Sequence, residues 1–120
     1  MEPMKLYESE YRFARLVWDH EPITSGQLAA LCREELGWKK STVYTVLKRL
    51  CDRGILQNEK AVVTSLVKRE QVLKYESEQL IDRVFCGSLP SFLTAFMGGR
   101  RISEEEAEEL KRLIDSHKEV

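Results

Sequence analysis

Apolar side chains recur at steps of three and four residues in three successive segments of the N-terminal half, and this spacing predicts three short helices. The first, SEYRFARLVWDH, ends before Pro22, because the residue that precedes a proline avoids the helical region. The second, TSGQLAALCREELG, opens with a capping box of Thr24 and Gln27 and closes at Gly37. The third, STVYTVLKRLCDRG, begins at Ser41 as its N-cap and has an apolar stripe of Val43, Val46, Leu47 and Leu50.

The pattern changes after Gly54, where β-branched residues replace the helical spacing. Ile55 and Leu56 lead into a polar turn at Asn58 to Lys60, and the β-branched run Ala61 to Thr64 follows. We predict a short antiparallel β-hairpin in this segment.

Helical spacing returns in the C-terminal half and predicts three more helices. The first runs from Lys68 to Cys86 and ends at Gly87, the second begins at Pro90, and the third has Ser103 as its N-cap. Three helices, a hairpin and three further helices are typical of a mainly α protein with a winged helix-turn-helix followed by a helical arm.

The predicted arm carries more apolar side chains than three short helices can bury among themselves. Each such side chain left in water forgoes roughly 1.5 to 3 kcal/mol of burial free energy. A second copy of the chain is the natural cover, so we predict a symmetric homodimer. The chain thus divides into a winged-helix domain, residues 1–68, and a dimerisation arm, residues 69–120. The predicted dimerisation residues are Leu80, Ile81, Val84, Phe85, Leu89, Phe92, Leu93, Phe96, Met97, Leu110, Leu113 and Ile114.

Composition bounds the class of protein and its compartment. A chain of 120 residues with 42% hydrophobic content suffices for one ordinary core and an outlying helical segment. No apolar run approaches the ~20 residues that cross a bilayer, and the N-terminus lacks the apolar centre of a secretory signal, so we expect a cytoplasmic protein without membrane insertion. Cys32, Cys51 and Cys86 fit neither a metal clip nor a disulfide framework. We interpret them as reduced core thiols and predict no metal and no cofactor.

Positive charge is concentrated in and around the third helix. The net charge of the chain is −1, yet residues 38–53 hold five cations against one carboxylate, Asp52. The local patch sets the field that a partner meets, because charges farther apart than about 8 Å are screened at physiological salt. This helix is therefore the first candidate for an interface with an anionic partner.

The side of the third helix opposite its apolar stripe suits DNA. Short hydroxyl side chains at the N-terminal end of such a helix reach base edges in the major groove, and cations farther along meet phosphates. We predict DNA contacts from Ser41, Thr42, Tyr44, Thr45, Lys48 and Arg49, with phosphate contacts from Lys39 and Lys40 and a wing contact from Lys60.

Three other interpretations compete with DNA binding. A Lys and Arg face on a helix is most often a solvated face, and the third helix of a winged helix is also a surface on which a partner protein docks. The third interpretation is a small-molecule sensor with a pocket between arm and core. The position of the charged helix in a tri-helical unit, just before a hairpin, favours DNA. An enzyme is not predicted, because the sequence has no spaced Ser, His and Asp set and no glycine-rich phosphate loop.

Four segments carry a resemblance to a known family. SEYRFARLVW is similar to the opening helix, and STVYTVLKRLCDRGIL to the recognition helix, of the penicillinase-repressor family, the BlaI/MecI/CopY group of bacterial winged-helix regulators. FCGSLPSFLTAFM and ISEEEAEELKRLID resemble the dimerisation arm of that family. The resemblance extends from about Ser9 to Asp115, with the segments in the same order.

The resemblance implies a homodimer that binds double-stranded operator DNA of dyad symmetry and represses resistance or stress genes, often those of β-lactamases or penicillin-binding proteins. It also implies a membrane sensor protease upstream in antibiotic-responsive members, with cleavage in the arm before a phenylalanine. Here the bond is Ala95–Phe96, where the family has Asn-Phe. The metal-sensing branch ends in Cys-x-Cys pairs, which this chain lacks, and the wing QNEKAVVTS is shorter than usual.

Overall fold

The computed structural model describes residues 4–119; residues 1–3 and 120, at the outer ends of the two predicted domains, lie outside the described part. The chain separates into two compact units, Met1–Gln79 and Leu80–Val120. The predicted mainly helical winged-helix fold is confirmed. In chain order its elements are α1 (Glu8–His20), β1 (Ile23–Thr24), α2 (Ser25–Leu36), α3 (Lys40–Asp52), β2 (Leu56–Glu59), β3 (Val62–Ser65), α4 (Arg69–Phe85), α5 (Leu89–Met97) and α6 (Glu104–His117).

The core of the first unit is built from the apolar stripes of α1, α2 and α3. Their buried positions follow three- and four-residue steps, so each helix turns a single face to the centre. Residues from the sheet and from α4 complete the core. Its fully buried members include Phe13, Val17, Leu28, Cys32, Val43, Leu50, Ile55, Val63 and Val72. Because α3 buries one face so completely, its opposite face is held toward solvent.

The ends of α2 follow the sequence prediction, whereas the start of α3 does not. The Thr24 hydroxyl accepts from the Gln27 backbone amide at 3.1 Å, and the Gln27 side-chain oxygen accepts from the Thr24 amide at 3.2 Å, so the capping box is confirmed. Gly37 ends α2 in the left-handed conformation, with φ +70°. The N-cap of α3 is Lys39, not Ser41: Lys39 is already extended and its carbonyl accepts from the Val43 amide at 3.1 Å, which places Ser41 inside the first turn.

The wing is a β-hairpin of β2 and β3 with a two-residue turn, in a three-stranded antiparallel sheet of order β1-β3-β2. Its turn is Lys60-Ala61, with φ of +51° and +64°, so Asn58 and Glu59 belong to β2 and the predicted turn at Asn58 to Lys60 lies too early. Positive φ at both positions matches the right-handed twist of the flanking strands. The strand β1 was not predicted, because two residues give no alternating pattern and the pairing depends on contact with β3.

The first turns of α4 belong to the first unit. Val72 is fully buried, and the Trp18 indole nitrogen donates to the carbonyl oxygen of Val67 at 3.0 Å. Arg69 pairs with Asp19, and its guanidinium carbon lies 5.6 Å from the centroid of the Trp18 ring. These contacts tie the start of α4 to α1, and the first compact unit extends to Gln79.

The second unit has a row of aromatic rings but, among its described residues, none that is buried. The rings of Phe85 and Phe92 meet edge to face with centroids 5.4 Å apart, and Phe92 stacks on Phe96 at 5.8 Å. The Arg100 guanidinium carbon lies 4.7 Å from the centroid of the Phe96 ring. Leu113 of α6 is 55% exposed. The single chain therefore leaves much of the apolar surface of its arm in water.

The three cysteines have different surroundings. Cys32 is fully buried, and burial raises the pKa of its thiol to about 11. Cys51 is half-buried. Cys86 is exposed, so the prediction of a core thiol is wrong for this residue. It follows the last residue of α4 with φ +50°, and this left-handed step toward Gly87 carries it off the helical stripe.

A helical membrane span requires about 20 predominantly apolar residues in one helix. Within residues 4–119, no single helix is both long and apolar enough to cross a bilayer. The helices α4 and α5 reach that length and composition only when taken together, and the pair is bent by 86° at its break.

The wing turn supplies a test of the fold. Ala61 is exposed and has φ +64°, a conformation that costs an alanine more than a glycine. We expect Ala61→Gly to raise the free energy of unfolding by up to about 1 kcal/mol in urea denaturation. Ala30→Gly, at an exposed position within α2, is the matched control and should lower it by about 1 kcal/mol. A loss of stability in both variants would contradict the turn conformation described here.

Candidate nucleic-acid interface

The outer face of α3 presents hydroxyl groups and a cation above the buried stripe. Ser41, Thr42, Thr45 and Lys48 are all exposed, whereas Val43, Val46, Leu47 and Leu50 beneath them are buried. Ser41, Thr45 and Lys48 follow one another at steps of four and three residues, so they share one line along the helix. The structure thus brings most of the predicted contact residues together on one rigid surface.

Two contacts on this face define what its side chains can offer a partner. The Thr45 hydroxyl donates to the carbonyl oxygen of Ser41 at 2.9 Å, so its oxygen remains available as an acceptor and its methyl group as an apolar contact. The Lys48 ammonium pairs with Asp52 at 3.0 Å, but the two side chains are 77% and 65% exposed. Such an exposed pair is weak and readily exchanged for a phosphate.

Tyr44 lies at the edge of this face, next to the wing. Its side chain is exposed, and the Lys40 ammonium lies 6.0 Å from its ring centroid. Together with Asn58 of β2 it lines a shallow groove of about 260 Å³ between α3 and the wing. Tyr44 is 37% exposed, so the wing does not cover it completely.

The remaining predicted cations flank α3 at its start and at the wing tip. Lys39 and Lys40 are exposed at the N-terminal end of α3, where the free amides of a first helical turn also favour an anion. A concavity of about 560 Å³ beside them is lined by Gly26, Ala29, Ala30, Arg33, Gly37, Trp38, Lys39 and Lys40. Lys60 is exposed in the turn of the wing.

Arg49 is only partly available, because a carboxylate from α1 holds it. Glu10 is 2% exposed, and its carboxylate accepts from Arg49 Nε at 2.9 Å and from Arg53 Nη1 at 3.2 Å. The Tyr7 backbone amide donates a further bond at 3.0 Å. Burial raises the pKa of Glu10, but the Tyr7 amide and the two guanidinium groups outweigh it, so the pKa lies below its ordinary value.

Glu10 changes the charge balance read from the sequence. Two of the five cations counted around the third helix, Arg49 and Arg53, neutralise this buried carboxylate, so the free positive surface is smaller than the local count indicates. The role of Glu10 was missed by sequence reasoning. A signal was present, since Glu10 falls on the same stripe as Phe13, Ala14 and Val17, and a carboxylate at a buried position needs a cationic partner.

A second, partly buried contact anchors the base of the wing. Glu21 accepts from the backbone amide and the hydroxyl of Ser65, at 2.8 Å and 2.7 Å, and lies 3.6 Å from the Lys68 ammonium. Burial raises the pKa of Glu21, but the bonds from Ser65 and the charge of Lys68 outweigh this effect, so the pKa lies below its ordinary value. The end of β3 is thus fixed to the residue that follows α1.

In the arm, the predicted dimerisation residues fall into two groups. Ile81, Phe85, Phe92, Leu93 and Met97 are half-buried within the second unit. Seven others are exposed, between 36% and 56%: Leu80, Val84, Leu89, Phe96, Leu110, Leu113 and Ile114. The Ala95–Phe96 bond lies in the last turn of α5, with both residues exposed. Within residues 4–119, no three His, Cys, Asp or Glu side chains come together in a group that would hold a metal ion.

Comparison with known proteins identifies the family. Residues 6–116 match the model of the penicillinase repressor family. The chain belongs to this family. Members of the penicillinase repressor family are winged-helix transcriptional repressors and not enzymes, in agreement with the fold and with the sequence prediction.

Several relatives align over nearly the whole length of this penicillinase-repressor family member. It is 24% identical over 118 residues to the penicillinase repressor of Bacillus licheniformis, covering 95% of this chain and 92% of that one. It is 23% identical over 118 residues to the methicillin resistance regulatory protein MecI of Staphylococcus aureus, with coverages of 92% and 96%. An uncharacterized 16.5 kDa protein of Latilactobacillus sakei is 24% identical over 110 residues, with coverages of 88% and 75%.

The buried carboxylate of this penicillinase-repressor family member predicts a dependence of stability on pH. A carboxyl whose pKa is lowered on folding adds stability above its unfolded value, near 4.5, and loses it as pH falls through the folded value. We expect Glu10→Gln to lower the free energy of unfolding by about 1 to 3 kcal/mol at pH 7. The difference from wild type should shrink below pH ~4.5.

Urea denaturation at pH values from about 3 to about 8 measures this dependence. Glu8→Gln is the matched control, because Glu8 lies in the same turn of α1 and is exposed. A Glu10→Gln variant whose stability equals that of wild type at pH 7, or falls short by the same amount at every pH, would contradict the charge assignment.

Proposed function

We propose that this chain is a homodimeric repressor that binds operator DNA of dyad symmetry through α3. The observation that carries the proposal is the exposed hydroxyl-and-cation face of α3, held outward by a stripe of four buried aliphatic residues. Membership of a repressor family supports it. The site of action would be the cytoplasm, where the operator DNA lies.

In this proposal α3 lies in the major groove with its N-terminal end against the bases. Ser41, Thr42 and Thr45 are short enough to approach base edges, and the exposed Thr45 methyl group suits a thymine methyl. Lys39 and Lys40 meet neighbouring phosphates. Lys48 exchanges Asp52 for a phosphate when DNA binds, because phosphate contacts release counterions and the exposed pair is weak.

The wing supplies a smaller contact. Lys60 sits in the two-residue turn with its backbone fixed by β2 and β3, and Glu21 fixes the base of β3 through Ser65. A short turn with a single lysine reaches one phosphate. We therefore assign the wing a phosphate contact, with base recognition left to α3.

The proposed dimer rests on the arm. Seven large apolar residues of the arm are exposed in the single chain, and the described residues of the second unit include none that is buried. Full burial of such a side chain contributes roughly 1.5 to 3 kcal/mol, and covering residues that are already about half covered would contribute about half of that each. A second copy places the same stripes against each other, and it also presents α3 twice, as a dyad operator requires. The proposal keeps the predicted order of a winged-helix domain at 1–68 followed by a dimerisation arm at 69–120.

The proposed targets are resistance or stress genes, on the strength of two relatives named as a penicillinase repressor and a methicillin resistance regulatory protein. Induction through a membrane sensor protease stays a prediction. Cleavage at Ala95–Phe96 would require the last turn of α5 to unwind, because a protease binds its substrate in extended form.

Base contacts and phosphate contacts are separable by substitution. Thr42→Ala should relax preference for a duplex selected from a random-sequence pool by about 1 to 3 kcal/mol, leaving random duplex unaffected. Lys48→Ala should weaken both duplexes alike and flatten the dependence of log K on log salt by about one. Fluorescence anisotropy at several salt concentrations measures both effects.

Asp52→Asn is the matched counterpart, because it frees the Lys48 ammonium and removes a carboxylate from the same face. It should tighten binding to both duplexes. If Thr42→Ala and Lys48→Ala lowered affinity for selected and random duplex to the same extent, the assignment of base contacts to α3 would be wrong. Wild-type protein that bound neither duplex in dilute buffer would refute the proposed function itself.

The dimer predicts a concentration-dependent mass. Phe96 is 52% exposed, so Phe96→Asp should split the dimer without unfolding the chain, and operator affinity should fall because bivalent attachment is lost. Sedimentation equilibrium at micromolar protein measures the mass. Thr94→Asp adds the same charge at an exposed position two residues earlier on α5, on another side of the helix, and should leave the dimer intact. A wild-type protein that is monomeric at this concentration would contradict the proposed dimer.

A further inference from the structure

We infer that Glu10 is a positioning residue for DNA binding, which orients the guanidinium of Arg49 toward a backbone phosphate before DNA arrives. The inference rests on the proposed function. It concerns a residue of α1, which lies outside the recognition helix and carries the charge opposite to that of a DNA contact.

The geometry of Glu10 divides its two arginine partners. Arg53 is 18% exposed and donates through Nη1 to both carboxylate oxygens, at 3.2 Å and 3.4 Å. Arg49 is 50% exposed and donates through Nε alone, at 2.9 Å. Arg53 is thus the structural counter-ion. The hydrogen bond to Glu10 holds Arg49 at Nε, where the guanidinium joins the side chain. Within residues 4–119 the two terminal nitrogens of Arg49 have no hydrogen-bond partner.

The position of Arg49 on α3 places those terminal nitrogens at the proposed interface. Arg49 follows Thr42 by seven residues and Thr45 by four, so the three share one side of the helix. It lies in the C-terminal half of α3, where such a helix meets phosphates and not bases. The two terminal nitrogens of a guanidinium match the two oxygens of a phosphate in a bidentate contact.

A fixed Arg49 binds better than a free one. A long exposed side chain loses rotamer freedom on binding, and a bond at Nε removes that loss in advance. The advantage corresponds to about 2- to 12-fold in affinity for one side chain. The Glu10 carboxylate is itself fixed in position, because it is buried and also accepts hydrogen bonds from the Tyr7 amide and from Arg53.

A positioning role and a purely electrostatic role of Glu10 predict opposite changes in DNA affinity when the carboxylate is removed. Removing the Glu10 carboxylate makes the protein more positive, so electrostatics alone would tighten DNA binding. Positioning predicts that Glu10→Gln weakens binding about 2- to 12-fold to both the duplex selected by wild type and random duplex. The slope of log K against log salt should fall by about one as a phosphate contact is lost.

Three further variants separate positioning from a merely structural role. Glu8→Gln makes the same charge change at an exposed position of α1 and should bind DNA no more weakly than wild type. Arg53→Lys loosens the structural half of the ion pair at constant charge, so it should lower stability without changing the salt slope. In an Arg49→Lys background, Glu10→Gln should cause no further loss of affinity.

The orientation of Arg49 is also measurable without DNA. In a 15N–1H spectrum the Nε–H of Arg49, identified by its absence in Arg49→Lys, should give a sharp and slowly exchanging signal in wild type and lose this protection in Glu10→Gln. If Glu10→Gln does not fold, Glu10→Asp takes its place. It keeps the charge but draws the carboxylate back by one methylene, and the same losses of protection, affinity and slope are expected.

The inference is overturned if folded Glu10→Gln binds as tightly as wild type with the same salt slope. A loss of affinity that persists undiminished in the Arg49→Lys background, or an Arg49 signal that exchanges rapidly in wild type, would also overturn it. Failure of the proposed function looks different, since wild type itself would then bind neither duplex.

Discussion

The burial of one face of α3 is the constraint on which the rest of the first unit depends. Four aliphatic side chains of this helix are packed against α1, α2 and the sheet, so the helix cannot rotate about its axis without exposing them. The rotation of α3 decides which residues face solvent. The hydroxyl and lysine side chains are outward because the valine and leucine side chains are inward, and the proposed interface is a consequence of the core.

Electrostatic contacts refine the orientation that packing sets. Glu10 ties α1 to α3 through two arginines, Glu21 ties the end of α1 to the base of the wing, and Arg69 ties α1 to the start of α4. Each joins an element to α1, which serves as the common support. The buried carboxylate of Glu10 would be costly without its partners, so its two ion pairs favour one arrangement of α1 and α3 over the alternatives.

The arm differs from the first unit in how much of its apolar surface it buries. Its helices have the same three- and four-residue spacing as those of the core, yet the single chain buries none of its described residues there. The aromatic row of Phe85, Phe92 and Phe96 gives it local order. Apolar stripes that remain exposed in one copy are the surface on which the proposed pairing of two copies depends.

The sequence by itself determined the number and type of the helices, the capping box at Thr24, the end of α2 at Gly37 and the hairpin, because these depend on local spacing and on residues close in the chain. Tertiary structure alone decided the rest. The strand β1 exists only by pairing with β3, the start of α4 joins the first unit because Val72 fits its core, and Cys86 leaves its helix at a left-handed step. The stripe of α1 indicates that Glu10 needs a cationic partner, but not which one, since Glu10 lies 39 residues before Arg49 and only folding brings the two together.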